Sequence, residues 1–546
     1  MTTTYTSPAE LEDAVTVLRK TFGSGKTKSM TWRKWQMKQM WWMIDDNQER
    51  FTAALAQDLN RSQFEAYAGD ISGVRANILE SLEHVDEWAA DEKPKSGFVF
   101  GTLSKTRIKK EPLGVALIVG AWNFPIALLL EPAIAAIAAG CCVLMKPSEM
   151  AAATQDLLVE LVPKYLDPDA IRIASGGPSE MTRILNYRFD HIFFTGSGKI
   201  AKFITEAAAK YLTPTVLELG GQGPAIVTAK ANVDLAAKRI AWAKFLNAGQ
   251  ICLSVNHTFV DSAVYDEFVE RVGFWFDSFL SGEGEQQMTK IISQRNFARL
   301  EKLLEGTSGK ITYSGKSPND ISIGKFNPTV VANVTMQDSL LSEELFGPIL
   351  PVIKADYRTA VGIINSMDHP LGLYIFSDSK KEVDEIIQST LSGGVTVNDT
   401  LLHFIVPDTP FGGVGDSGVG YYHGGYGFKC FTHLRTVVAP PTCLEKIMEF
   451  RYAPYTPSDV SRMLIKNTLG FKKGETMTDQ EPRFASISAV KDVVLKTAKI
   501  VAVTTAITAS LAVFDGFRGG RSRVTDYFEF VYSSVRCKFD VKRVKL

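Results

Sequence analysis

Cys252 lies in Phe245-Leu-Asn-Ala-Gly-Gln-Ile-Cys-Leu-Ser254, where a helical pattern gives way to a glycine-containing turn before a new segment starts. A thiol at such a turn sits near backbone amides, which stabilise first a thiolate and later an oxyanion. The ordinary alternative is a small buried hydrophobe, the use expected of most of the other five cysteines, Cys141, Cys142, Cys430, Cys443 and Cys537. Glu218 stands in Thr215-Val-Leu-Glu-Leu-Gly-Gly221, an acidic residue inside an apolar strand that ends in two glycines. If buried, its carboxylate has a raised pKa and serves as a general base near neutral pH. On the outward face of an edge strand it would be a solvated charge and no more. Asn123, in Ala121-Trp-Asn-Phe-Pro125, follows one strand and precedes a helix, at the carboxyl end of a parallel strand where open α/β sheets collect ligands. Its amide is a neutral donor for an oxyanion, although an Asn before Phe-Pro is also a common turn former.

Two further segments follow strands in the same way. Lys146-Pro-Ser-Glu149 offers a cation and a carboxylate that can grip ribose hydroxyls, or simply a helix start with a capping Ser and an acidic first turn. Phe194-Thr-Gly-Ser-Gly-Lys199 ends a strand and opens a helix, so its amides can face a pyrophosphate, although it is not a G-x-G-x-x-G fingerprint. Gly23-Ser-Gly-Lys-Thr27 imitates a phosphate loop, but the first glycine of that motif would fall on Lys20 and no strand precedes it. No nucleotide loop is expected there.

The elements that must hold these residues are legible in the hydrophobic pattern. From Val115 to Glu218 short apolar runs alternate with helical ones, which implies parallel βαβ units. After Gly221 a strand-like Ala225-Ile-Val-Thr228 opens a second stretch of αβ alternation reaching about Asn398. The first hundred residues are helical, with Trp32, Trp35, Trp42, Phe51, Leu55 and Leu59 at near-helical spacing, and are expected to pack one face inward. The uncharged run from Leu113 to Leu130 is broken by Asn123 and Pro125, so strand, turn and helix explain it better than a membrane span.

Composition narrows the classes. With 546 residues, 45% hydrophobic and 22% charged, the chain is multi-domain and globular. Lys plus Arg and Asp plus Glu both total 60, so no net basic field exists to gather nucleic acid. The cysteines show neither C-x-x-C spacing nor a disulfide framework, which predicts a reducing compartment and no structural zinc. The start, Met1-Thr-Thr-Thr-Tyr-Thr-Ser-Pro8, lacks the features of a signal peptide, and a cytosol-facing enzyme is expected. Near the other end, Ile500 to Phe514 is uncharged and apolar, roughly 22 Å as a helix against about 30 Å of hydrocarbon. Flanking Lys491, Lys496, Lys499, Arg518, Arg521 and Arg523 suit a snorkelling anchor; a buried or dimer-contact helix is the alternative.

Taken together and in order, these motifs resemble the aldehyde dehydrogenase superfamily from about Phe22 to about Tyr455. The resemblance implies a Rossmann-like cofactor domain and an α/β catalytic domain. It places the family's nucleophile on Cys252, its general base on Glu218 and its oxyanion amide on Asn123. It further assigns cofactor contacts to Lys146 and Glu149, to the turn Gly196, Ser197, Gly198, Lys199, Ile200 and Ala201, and to Glu344 and Phe346 in Glu344-Leu-Phe-Gly-Pro348. The expected cofactor is NAD, with NADP possible, because the Glu149 carboxylate would repel a 2′-phosphate.

Thr21 to Thr27, Pro410-Phe-Gly-Gly-Val-Gly-Asp-Ser-Gly418, Tyr422-His-Gly424 and Arg451-Tyr-Ala-Pro-Tyr455 resemble the class 3, fatty-aldehyde branch, to which the fungal apo-carotenal-oxidising enzymes are also similar. That branch implies a hydrophobic aldehyde substrate, a homodimer, and membrane contact through the C-terminal segment. Departures are Gln222-Gly223 after the paired glycines, Ala201 at the end of the cofactor turn, and Gly425 where the branch often has Lys. The expected organisation is a cofactor domain over residues 1–219, a catalytic domain over 220–405, a return and dimerisation segment over 406–450, and a helical tail over 451–546. Rival readings are an acylating, coenzyme A-dependent semialdehyde dehydrogenase and a non-catalytic binding protein of the same fold. A cysteine hydrolase is weaker, since no His stands near these motifs.

Overall fold

The computed structural model describes residues 5–465 and 467–480. The chain divides into two compact units, residues 1–443 and 444–546. Within the second, short helices at Glu445–Met448 and Pro457–Met463 are described; the apolar segment 500–514 and Cys537 lie outside the described residues.

Fifteen strands of the first unit form three sheets. Before the paired glycines come β1 (Arg107–Pro112), β2 (Val115–Val119), β3 (Cys142–Lys146), β4 (Ile171–Ile173), β5 (His191–Thr195) and β6 (Thr215–Glu218). After them come β7 (Pro224–Val227), β8 (His257–Val260), β9 (Lys310–Ser314), β10 (Thr329–Ala332), β11 (Ile349–Lys354), β12 (Gly372–Phe376), β13 (Gly394–Val397), β14 (Gly418–Val419) and β15 (Thr432–Val437). One sheet has the order β14-β6-β5-β2-β3-β4, the second β13-β12-β7-β8-β11-β10-β9, and β1 pairs with β15 alone. The sheet therefore changes between Glu218 and Pro224, and the late strand β14 returns to the first sheet, antiparallel to β6.

β2, β3 and β5 are buried along their whole length, as parallel strands covered on both faces must be. Their register is level: Val119 is opposite both Lys146 and Phe194, and Thr195 is opposite Glu218. Parallel pairing thus brings the carboxyl ends of β2, β3, β5 and β6 to one edge. Strand order reverses around β2, which has β3 on one side and β5 on the other, so a ligand crevice opens beyond that edge.

The uncharged run is a strand, a turn and the helix Ala127–Ala139, all thirteen residues of which are buried. Among the described residues no helix is long and apolar enough to cross a membrane. Gly23 to Thr27 ends the helix Pro8–Ser24: Gly25 takes a left-handed C-cap (φ 77°) and Thr27 donates to the Gly140 carbonyl at 2.7 Å. One expectation needs correcting. Phe51, Leu55 and Leu59 are buried, but Trp35 and Trp42 face solvent. In the helix Met30–Asp46 the inward face is carried by Met37, Met40, Met43 and Ile44, with Trp32 and Trp41 packed at its margin, and Trp35 and Trp42, seven residues apart, share the opposite face.

Candidate active site

The level edge of the first sheet holds the expected cofactor contacts. Lys146, the last residue of β3, is buried and pairs with Glu149 at 2.7 Å. Beyond β5 the chain turns through Gly196 and Ser197 into the helix Gly198–Ala209. The Ser197 side chain makes no capping hydrogen bond, which leaves the first amides of this helix for a ligand. Lys199 and Ile200 are exposed, whereas Ala201 faces the core. A Cβ on Gly196 would lie 2.6 Å from the tip of the Phe194 ring, so a larger residue in this turn would have to displace that ring. Open amides, a cation and a carboxylate at one strand edge suit the pyrophosphate and ribose of a dinucleotide.

Glu344 and Phe346 stand on the loop that connects β10 to β11 in the second sheet, yet Glu344 packs against Gly220 and Phe346 against Trp122 of the first. A Cβ on Gly220 would be 2.4 Å from both carboxylate oxygens of Glu344, so absence of a side chain two residues beyond Glu218 lets that carboxylate approach. Phe346, at φ 47°, meets Trp122 edge-on at 5.4 Å, next to Asn123. Arg299 holds this loop by donating to the carbonyls of Glu344 and Leu345, and Asn256 accepts the Leu345 N–H at 2.8 Å. Gln222, one of the departures, joins the same frame: it donates to the Leu341 carbonyl at 3.0 Å and accepts from Asn256 at 3.3 Å. Gly425 packs against Trp88: a Cβ there would sit 3.1 Å from its Nε1, so a longer residue would require the indole to shift by a few tenths of an ångström.

Cys252 follows a strained turn. Asn247, Ala248 and Gly249 are all left-handed (φ 51°, 51° and 68°), and two non-glycine residues in that region cost roughly 1–2 kcal/mol each. Gly249 ends the kink against the backbone of Gly347, whose carbonyl oxygen would lie 2.4 Å from a Cβ there, so both its φ and this close approach call for glycine. A buried polar network holds it. Asn247 Nδ2 donates to the carbonyls of Asn123 (3.1 Å) and Gln250 (3.0 Å), and its backbone N–H donates to Glu65. Arg61 donates to Asn123 O, Asn247 Oδ1 and Asp70, and Asp70 accepts the N–H groups of Ile126 and Ala127. Neither the Arg61 nor the Asp70 side chain is reached by solvent. Asn123 Nδ2 donates one hydrogen to Gln250 O at 3.1 Å and has a second for a substrate oxygen.

The acidic side of the site differs. Glu218 is 4% exposed, ends β6 on an interior strand and has no hydrogen-bond partner for either oxygen, so burial raises its pKa well above the carboxylate range. Glu344 is raised to about 7, chiefly by burial, against the pull of the Gly221 amide, Arg299 and Lys244. Burial first, then the charges of Glu344 and Glu218, push the Cys252 thiol up to about 12, although the backbone amides of Cys252 and Leu253 act the other way. The amides expected from the sequence are present, but desolvation outweighs them, and the resting group is a thiol.

Several residues of this centre were not legible as such. Lys244, on the helix Val233–Phe245 and buried, has its pKa lowered to about 7 by desolvation. Its signal was a lone charge inside Ile240-Ala-Trp-Ala-Lys-Phe245. Arg61, Asp70 and Tyr374, whose hydroxyl donates to Leu253 O at 2.5 Å, gave no local signal. The sequence shows no histidine near Cys252, whereas the fold sets His403 across Gly372 from Leu253. Burial lowers that imidazole to about 4 and Thr396 bonds its Nδ1 at 2.8 Å, so it has no charged form to offer at neutral pH.

The aldehyde dehydrogenase family profile matches residues 1–437. Aldehyde dehydrogenase family 3 member A2 of Rattus norvegicus is 37% identical over 83% of this chain and 93% of its own. Beta-apo-4′-carotenal oxygenase of Neurospora crassa is 40% identical over 81% and 83%. The rat aldehyde dehydrogenase named dimeric NADP-preferring is 36% identical over 83% and 100%. Among solved structures, substrate-bound AldH of Staphylococcus aureus superposes with a TM-score of 0.76 at 31% identity, covering 81% of this chain and 99% of that one. The chain belongs to the aldehyde dehydrogenase family. It is an oxidoreductase that converts aldehydes to carboxylic acids with NAD or NADP.

Proposed function

We propose that the enzyme oxidises long apolar aldehydes, aliphatic or apo-carotenoid, through a thioester on Cys252 that water hydrolyses. The observation that carries the hydrolytic half is Glu218, a buried carboxyl with neither oxygen hydrogen-bonded beside a thiol whose pKa its charge raises. Cys252 Sγ bonds to the aldehyde carbon as its proton passes to a neighbouring carboxylate. The free N–H of Asn123 and the backbone N–H of Cys252 hold the oxyanion. A bound nicotinamide supplies the acceptor for the hydride that leaves this carbon. Glu218 then takes a proton from water, the oxygen adds to the thioester carbonyl, the C–S bond breaks and the acid departs.

Lys146 and Glu149 would hold the adenosine ribose, the turn from Gly196 to Ala201 the pyrophosphate, and Glu344 with Phe346 the nicotinamide side. The Glu149 carboxylate favours NAD, while the NADP-preferring relative keeps NADP open as the comparison. This reading makes residues 1–219 the cofactor domain, 220–405 the catalytic domain and 406–450 the return and dimerisation segment. A homodimer accords with the relative named dimeric, and an apo-carotenoid substrate with the Neurospora relative. Membrane contact through 500–514, with the enzyme facing the cytosol, completes the proposal. The test is NADH formation in detergent, with NAD and without coenzyme A, across short, long-chain and apo-carotenal aldehydes. Long-chain preference is the expected result; turnover confined to short aldehydes overturns the substrate, and dependence on coenzyme A overturns hydrolysis.

A further inference from the structure

The loop that carries Glu344 and Phe346 is held in place by side chains remote from it in sequence. Residues 342–348 belong to no helix or strand, and Phe346 sits at φ 47°. That region costs energy for a bulky side chain and persists only where the surroundings over-determine it. Arg299 fixes one part by donating to the carbonyls of Glu344 at 3.2 Å and Leu345 at 2.5 Å. The stretch leading up to them is held by two amides, Gln222 and Asn256.

Gln222 is the first residue after the paired glycines, where this chain departs from the family's usual residue. Its Nε2 donates to Leu341 O at 3.0 Å, and its Oε1 accepts from Asn256 Nδ2 at 3.3 Å. Asn256 Oδ1 accepts the Leu345 N–H at 2.8 Å, and the Asn256 backbone N–H donates to Gly223 O at 2.7 Å. The two amides therefore clasp Leu341 and Leu345 on either side of Glu344, and they are joined to each other. A further hydrogen of Asn256 Nδ2 faces His257 Nδ1 at 3.5 Å. Burial first, and then the Lys244 charge, lower that imidazole to about 3, so it is neutral at working pH. The clasp thus brings no charge of its own to a centre where Glu344 and Glu218 already act on Cys252.

The same three residues also grip the loop through the backbone. The Gly221 N–H donates to the Glu344 carboxylate, and Gly220 leaves the space that its oxygens occupy. Residues 220–222 therefore fix both where the loop runs and where the carboxylate points. We propose that Gln222 and Asn256 are positioning residues for the cofactor: their amide pair holds residues 341–345 so that the Glu344 carboxylate stays against Gly220 and Gly221, where it meets the nicotinamide side. This rests on the role given to Glu344 above.

The test is steady-state kinetics of the full-length enzyme with NAD and the aldehyde varied in turn, and NAD binding read separately by fluorescence titration. The proteins compared are wild type, Gln222→Met, Gln222→Ala, Glu344→Gln and Gln222→Met/Glu344→Gln. Methionine fills the space of the amide and alanine does not, so the same effect in both assigns it to lost hydrogen bonds and not to lost packing. Each Gln222 variant should raise KM for NAD about tenfold, as expected when buried partners are left unpaired, while KM for the aldehyde changes by less than about twofold. The double variant should be no more than about twofold worse than Glu344→Gln, because Gln222 acts through that carboxylate. An unchanged KM for NAD in both Gln222 variants, with Glu344→Gln impaired, overturns the proposal and leaves the role of Glu344 standing. So does a lower melting temperature with both KM values unchanged, which would make the clasp purely structural, an effect confined to Gln222→Ala, or losses that multiply in the double variant. NAD kinetics and NAD binding indifferent to Glu344→Gln would overturn the reading of Glu344 itself, and the proposal with it.

Discussion

Two regions of polar groups meet at Cys252, and they are built in opposite ways. On the amide side, Asn123, Asn247, Gln250, Arg61 and Asp70 form a closed set in which almost every donor and acceptor has a partner. On the acidic side, Glu218 has none, Glu344 lies far above the carboxylate range, and the thiol between them is held protonated. Saturated groups cannot move without leaving a buried charge or amide unpaired, so they fix geometry. Desolvated groups without such partners hold their protons more tightly than they would in water, and a buried carboxyl that must ionise does so at the cost of stability. The contrast separates residues whose groups are locked in place from residues that, on the proposed mechanism, react.

Changes on the acidic side should act on rate. Cys252→Ala should lower turnover on the order of 10⁴-fold or more while cofactor binding, read by fluorescence titration, persists. Retained turnover would remove the thiol from the mechanism. Glu218→Gln should reduce steady-state turnover by about 10³-fold but leave a pre-steady-state NADH burst in stopped flow. If the burst vanishes as it does for Cys252→Ala, Glu218 acts before the thioester and not after it.

Changes on the amide side should act on stability as well. Arg61→Met leaves Asp70 buried and uncompensated and is expected to cost about 3–5 kcal/mol in denaturant unfolding. Arg61→Met/Asp70→Leu should recover much of that stability, because no charge is then stranded. Equal losses in the single and double variants would show that shape, not charge, holds the turn. The smallest effect returns to Glu218. Its folded pKa is raised above the unfolded 4.5, so the protonated group adds stability in full below that value and loses it as pH climbs toward the folded pKa. Glu218→Gln should therefore melt a few degrees higher than wild type at pH 8 and show no such advantage near pH 4. A melting gap that does not depend on pH would mean the carboxyl is partnered in solution.

Much of the site was legible because its residues obey a linear rule. In βα alternation each strand delivers its following turn to the same edge, so Asn123, Glu149 and Gly196 to Ala201 could be placed beyond strand ends from pattern alone, and Lys146 and Glu218 at them. The same pattern separated strand, turn and helix in Leu113 to Leu130. It misjudged Trp35 and Trp42, since periodicity says which residues share a face but not whether that face turns to the core.

What the sequence alone determined, then, was the order of elements and which residue types stand at each strand end. Only the tertiary structure decided that Arg61 reaches Asn247, 186 residues away, that Lys244 is buried, and that Cys252 rests as a thiol. Hydrogen-bond partners across such distances and the removal of water are properties of packed neighbours, and a protonation state depends on both.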